Sequence, residues 1–208
     1  MSKVLFKVLF ITIIAILPFV VLIRFSVYLH ATHHFFPLAA ILGGFVVTFV
    51  ILLLYVTFLL GPSKSLKRRL RLLALALLFY GVYAMLYVSA KNTKSIAVSH
   101  EYTSLHPVLR LGVSTLLLID RSLIITDANR LPQDYIRMGL RSNSQSLHYR
   151  QSNGYVHALD IRTNGRWGIR NFLIKWYFKA MGFRVLRHGG TADHMHISLL
   201  SHDRPYAF

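Results

Sequence analysis

Apolar residues crowd the first ninety positions of this chain in three uninterrupted runs. The stretch 8–23 is uncharged and reaches back to Val4 if Lys7 snorkels. The stretch 38–60 is uncharged over 23 residues, and 72–90 over 19. The hydrocarbon core of a bilayer takes about 20 apolar residues of helix, so the pattern predicts three transmembrane helices. None of the runs carries the polar stripe that a core helix of a soluble protein normally shows. The first run is the shortest and contains Pro18. Lys3 and Lys7 before it would suit a secretory signal, but no small-x-small cleavage site follows, so an uncleaved anchor is expected.

Beyond residue 90 the pattern changes. Residues 91–103 are polar and read as a linker, and 104–208 as one small domain. Ser104 is placed to cap a helix running to about Asp120, with Pro107 in its first turn and Leu105, Val108, Leu109, Gly112, Leu116 and Ile119 at helical spacing. Residues 122–126 (S-L-I-I-T) read as a short buried strand, 131–151 as loop-rich, and 155–161 as a strand leading to an Asn164-Gly165 turn. Ile169, Phe172, Leu173, Trp176, Tyr177 and Ala180 share one face of a helix that Gly182 ends. Residues 183–186 and 194–199 complete the set as strands. This order predicts an α+β fold, a small and mainly antiparallel sheet with flanking helices, preceded by three membrane helices.

Charge orients the chain. All seven acidic residues lie at or beyond Glu101. Lys64, Lys67, Arg68, Arg69 and Arg71 crowd the connection between the second and third runs, whereas the first connection holds Arg24 and three histidines. The positive-inside rule puts the N-terminus and the 61–71 loop in the cytoplasm. Three crossings then place the C-terminal domain on the periplasmic or extracellular side of a cytoplasmic membrane. That domain carries sixteen Lys and Arg against seven acids, which suits an anionic surface such as a cell-wall polymer, or a nucleic acid. With no cysteine in the chain, disulfides and thiolate metal sites are excluded.

The chemistry concentrates in three short segments: Ser146-Leu147-His148-Tyr149, Ala158-Leu159-Asp160-Ile161 and Asp193-His194-Met195-His196. Period-two alternation sets His194, His196 and Ser198 on one strand face, and Ala158 and Asp160 on one face of another. Neighbouring strands would bring Asp160 and His196 together, and His148 from a loop would complete a three-ligand site. Two imidazoles and one carboxylate leave a fourth position for water, the mark of catalytic zinc.

These segments resemble the zinc D-Ala-D-Ala carboxypeptidases and dipeptidases and, more distantly, the hedgehog signalling domain, over roughly residues 104–200. Members of that family carry S-x-H-x-x-G-x-A-x-D and a later acid-x-x-His. The resemblance implies Zn2+ held by His148, Asp160 and His196, with Asp193 as the general base, usually Glu in the family. Residues 125–130 (I-T-D-A-N-R) resemble a family segment whose Arg, here Arg130, stabilises the tetrahedral intermediate. His194 is a second candidate for that role. The family's His-to-Asp spacing is seven, whereas His148 and Asp160 are twelve apart, so a looped insertion around R-Q-S-N-G is expected. His157 is the rival ligand, although its odd spacing from Asp160 puts it on the opposite face of a regular strand; whichever of the two does not ligate is expected in the substrate cleft.

The resulting expectation is a membrane-anchored zinc metallopeptidase hydrolysing peptidoglycan peptides at a D-Ala bond, with a cell-wall peptide as partner and no nucleic acid. Two other readings stand beside it. One is a non-catalytic, zinc-containing module that binds the cell wall or a partner. The other is a DNA-nicking enzyme, suggested by the His-Met-His strand but supplied with no nucleophile except Tyr206, close to the end of the sequence.

Overall fold

Two long helices absorb most of the apolar sequence. In the computed structural model, which describes residues 3–61, 65–86, 90–139, 141, 143–189 and 193–203, α1 is Lys3–His33 and α2 is Pro37–Leu60. They pack side by side, and Gly44 marks the close approach: a Cβ there would stand 2.7 Å from the Leu22 carbonyl oxygen. Both are long and apolar enough to cross a membrane. The third run behaves differently. Helix α3, Leu66–Leu86, begins with Lys67, Arg68, Arg69 and Arg71. Its uncharged described part, 72–86, falls short of the roughly 20 residues a bilayer core needs. Among the described residues there are therefore two candidate membrane helices, not the three expected. Residues 87–89 of the expected third span, and Lys64 of the basic loop, lie outside the described residues.

The C-terminal part is α+β, with a four-stranded antiparallel sheet in the order β1-β2-β4-β3. The strands are β1 Ile125–Asp127, β2 Ala158–Arg162, β3 Arg184–His188 and β4 His194–Ser198. Helix α5, Pro107–Ile119, and helix α7, Gly168–Met181, lie on one face of the sheet. Leu159, Ile161, Met195, Ile197 and Val185 point towards them into the core. Alternation then sends Asp160, His194 and His196 to the other face, which the helices leave open. Two short helices, α4 Ile96–Glu101 and α6 Pro132–Arg137, complete the set.

Three local expectations change. The cap of α5 is His106, whose Nδ1 accepts the Val108 amide at 3.2 Å, and not Ser104. The segment 91–103 is folded onto the domain: the Asn92 amide donates to the Arg121 and Leu123 carbonyls at 2.8 and 2.9 Å. Helix α7 buries Asn171, Ile174, Phe178 and Met181, so Ile169, Phe172, Leu173 and Trp176, expected inside, face outwards. Asn171 explains the rotation, because its Nδ2 donates to the Thr163 carbonyl at 3.0 Å. A buried amide that satisfies a loop carbonyl selects a face that hydropathy alone would not.

The two halves share one core. Leu22, Ile23 and Val27 of α1, Ile41 of α2 and Ala84 of α3 belong to the same buried apolar cluster as α5, α7 and the sheet. Ser114 Oγ of α5 donates to the Ala84 carbonyl at 2.9 Å, and Tyr80 Oη pairs with Thr115 Oγ1. Arg24 of α1 reaches the Ala180 carbonyl at 2.9 Å. The domain therefore sits at the C-terminal ends of α1 and α3. The basic start of α3 is at the other end, where Arg69 donates to the Gly61 carbonyl.

Candidate metal centre

Asp160 lies mid-strand in β2, opposite His196 in the register with β4. A register shift between Ile125 and Asp127 in β1 sets Asp127 against Asp160 on the other side. His148 arrives from the loop after α6, and its placement is tightly held. Its Nδ1 donates to the Ala128 carbonyl at 2.7 Å, and its own carbonyl accepts the Arg130 amide at 3.0 Å. The Nδ1 bond leaves the Nε2 lone pair aimed inwards. The extra residues between His148 and Asp160 form a closed turn, with Gly154 at φ +82° donating to the Gln151 carbonyl at 2.8 Å.

The three donor atoms stand close together. His196 Nδ1 is 3.0 Å from Asp160 Oδ1 and 3.1 Å from His148 Nε2, and His148 Nε2 is 3.4 Å from Asp160 Oδ1. Ligands at ordinary zinc distances around a tetrahedral centre stand roughly 3.3 Å apart, so this trio can hold a metal ion. The opposite carboxylate oxygen is occupied: Arg130 Nη2 donates to Asp160 Oδ2 at 2.5 Å, while its Nε holds Asp127 at 2.8 Å. His194 Nε2 lies 3.7 Å from the same oxygen.

Electrostatics favour the ligating forms of Asp160 and His196. Burial alone would raise the Asp160 carboxyl, but His148, His196 and Arg130 hold it well below the usual carboxylate range. Burial lowers His196 and favours its neutral ring, against the raising effect of its bond to Asp160. For Arg130, burial opposes the charge but Asp160 and Asp127 raise its pKa. The arrangement is an ionised carboxylate, two imidazoles and a fixed guanidinium, at the floor of a cleft of about 1170 Å³.

The other expected residues divide. Asp193 and His194 both line the cleft. Asp193 is paired with Arg187, at 2.7 and 3.2 Å, and those bonds lower its pKa. His157 is neither at the centre nor in the cleft. It is fully buried on the far side of the chain, its Nε2 within 3.0–3.3 Å of the Asn153 amide. The odd spacing from Asp160 gives this outcome. Sequence reasoning missed His188, which pairs with His194 in register and stacks on it at 4.9 Å between ring centroids. The antiparallel pairing of β3 with β4 sets 188 against 194. It also missed Tyr135, whose Oη meets Ser146 Oγ and braces the His148 loop.

Compared with protein families, characterised proteins and solved structures, the chain finds no match.

Proposed function

We propose that this chain is a membrane-anchored zinc metallopeptidase that hydrolyses cell-wall peptides at a D-Ala bond, with its domain outside the cytoplasm. The observation that carries the reading is the trio His148, Asp160 and His196, with donor atoms 3.0–3.4 Å apart at the floor of an open cleft. His148, Asp160 and His196 would hold a zinc ion, which would supply a water of lowered pKa and a Lewis acid for the scissile carbonyl. The protein's own groups do the rest. Arg130 orients Asp160 through Oδ2 and leaves Oδ1 to ligate. His194, at the cleft wall, is placed to donate to charge developing on the substrate oxygen. Asp193 takes a proton and passes it to the leaving amine. Its pairing with Arg187 must open for it to do so.

Membrane placement follows from where the charges sit. The domain packs on the outer ends of α1 and α3, and the cluster from Lys67 to Arg71 lies at the opposite end. With the apolar stretch 72–90 as a third crossing, the positive-inside rule puts the domain outside.

The test is metal analysis with a peptide assay on the full chain. Wild type is expected to release D-Ala from a muropeptide ending in D-Ala-D-Ala. Asp160→Ala is expected to lose the metal of this centre and all turnover. The Arg187–Asp193 pair favours a second reading, a non-catalytic module that binds cell-wall fragments, because a carboxylate neutralised by a guanidinium is a poor base. Retention of fragments by metal-loaded wild type without any product would select that module. For the DNA-nicking reading, the nucleophile Tyr206 lies outside the described residues.

A further inference from the structure

A second cluster of histidines lies apart from the cleft, where the end of α1 meets the domain. His30 of α1, His106 at the start of α5 and His157 before β2 bring ring nitrogens within 4.8 Å of one another. All three are buried, with exposures of 2 %, 0 % and 0 %. The His30 and His106 rings stand 4.2 Å apart, and those of His106 and His157 4.7 Å. Asp203 closes the group, its Oδ2 3.5 Å from His30 Nε2 and 4.0 Å from His157 Nε2. Ser201 Oγ and Asn153 Nδ2 hold that carboxylate at 2.6 and 3.0 Å.

The ring nitrogens are poorly explained by hydrogen bonding alone. His30 Nδ1 donates to the Phe35 carbonyl at 2.8 Å, which leaves Nε2 as a bare lone pair. That Nε2 and His106 Nε2 are buried without a hydrogen-bond partner. A buried polar atom left unsatisfied is costly, and two of them face the same small space. Burial pushes His106 well below its usual value and His157 down to about 4, so both rings are neutral at physiological pH. Neutral imidazoles beside one carboxylate, with the His30 ring braced through Nδ1 by the Phe35 carbonyl, are what a divalent transition metal takes.

We propose that His30, His157 and Asp203, with His106, form a second transition-metal site that is structural and fastens the end of the first apolar helix to the domain. Its burial suits a closed structural centre, in contrast to the open cleft around Asp160. His106 joins at a cost. Its Nδ1 accepts the Val108 amide, so ligation through Nε2 moves the ring proton to Nδ1 and releases that cap.

The test is zinc stoichiometry on the full chain in detergent, after saturation and removal of free ion. Wild type is expected to hold two equivalents, and Asp160→Ala, His157→Asn and His30→Asn one each. The double variant Asp160→Ala/His157→Asn is expected to hold none. One equivalent in wild type with none in Asp160→Ala overturns the proposal, as does His157→Asn retaining two. If the histidine variants misfold, Asp160→Ala decides alone: one equivalent supports the second site and zero refutes it. Failure of the cleft reading looks different, because Asp160→Ala would then hold as much metal as wild type while His157→Asn lost it.

A separate observation concerns α7. Trp167 just before it, and Ile169, Phe172, Leu173 and Trp176 on it, are 52–81 % exposed. Lys175 and Lys179 lie among them. The far end of the helix rests on α1, through Arg24 and the contact of Gly182 with Val27. We infer that this face lies in the lipid headgroup region beside α1, its aromatics in the acyl boundary and its cations on anionic headgroups; this rests on the membrane reading above. Trp167 and Trp176 are the two tryptophans of the chain, so intrinsic fluorescence reports on this face directly. In vesicles containing phosphatidylglycerol with brominated acyl chains, emission is expected to fall severalfold relative to unbrominated vesicles. Unquenched emission from protein that resists alkaline extraction overturns the inference and leaves the face to a protein partner. Protein released by alkaline extraction overturns the membrane reading, and this inference with it.

Discussion

Asp160 divides its two carboxylate oxygens between two tasks. Oδ1 meets His148 and His196, while Oδ2 is held by Arg130. Partners of this kind, behind the ligand, typically contribute about 10–100-fold in metal affinity. Arg130→Ala is accordingly expected to weaken zinc binding by roughly that factor in competition with a chelator, leaving stoichiometry at saturation unchanged. Asp193 gives a sharper test of catalysis. Its pKa is lowered by the hydrogen bonds from Arg187, so Arg187→Ala lets it rise towards the ordinary carboxylate value. A base works ionised, and its activity is lost as pH falls through its pKa. The acid limb of the kcat/KM profile should therefore move to higher pH in Arg187→Ala, and stay in place if Asp193 is not the base. Asp193→Ala should keep its metal and lose about 10²–10⁴-fold in turnover.

Among the elements, α7 carries the clearest lesson about what the chain makes legible. Its end is plain in the sequence: Gly182 follows the last helical turn and adopts φ +97°. A Cβ there would also stand 3.1 Å from Val27 Cγ1 of α1. Left-handed backbone costs a non-glycine residue roughly 1–2 kcal/mol, so Gly182→Ala should lower the thermal midpoint by about 2–4 °C for each kcal/mol lost. The helix's inward face was not legible, because apolar residues occupy both sides and buried Asn171 decides between them. The β4 alternation was legible, since Met195 and Ile197 are buried and His194 and His196 face the cleft. The His30 cluster was not, because a histidine at the end of an apolar helix has no local pattern that names partners 76 and more residues away. The start of α7 offers a test by pH. Arg166 and Arg170 grip Asp120 at the end of α5. Burial would raise that carboxyl, but the two guanidiniums hold it below its ordinary value. A depressed carboxyl stabilises the fold above its unfolded value, about 3.9, and the contribution disappears as pH falls through the folded value. Melting curves should therefore drop more steeply below pH ~4 in wild type than in Asp120→Asn.

At the scale of the whole molecule, the three apolar helices and the α+β domain cannot be separated without opening a core. Leu22, Ile23, Ile41 and Ala84 are buried among residues of α5, α7 and the sheet, so a fragment beginning at residue 91 would expose that face. Purified material should be the full chain. The same packing ties function to topology. The domain rests on the C-terminal ends of α1 and α3, and Lys67, Arg68, Arg69 and Arg71 lie at the far end of α3. Two crossings would leave the domain and the basic loop on the same side of the membrane; a third, by the apolar stretch 72–90, would separate them. Reporter fusions discriminate between these arrangements. A fusion near Lys67 is expected to read as cytoplasmic, since a loop with several Lys and Arg is retained inside. A fusion after Asp203 is expected to read as external. Recharging the loop supplies the control: replacing Lys67, Arg68, Arg69 and Arg71 with Gln should raise the fraction of molecules whose C-terminal reporter is cytoplasmic. A cytoplasmic signal from the C-terminal reporter of the unaltered chain would remove cell-wall peptides as substrates, because the cleft at Asp160 would then open on the wrong side of the membrane. The two clusters of candidate ligands would be untouched by that result, since each is built within the folded chain itself.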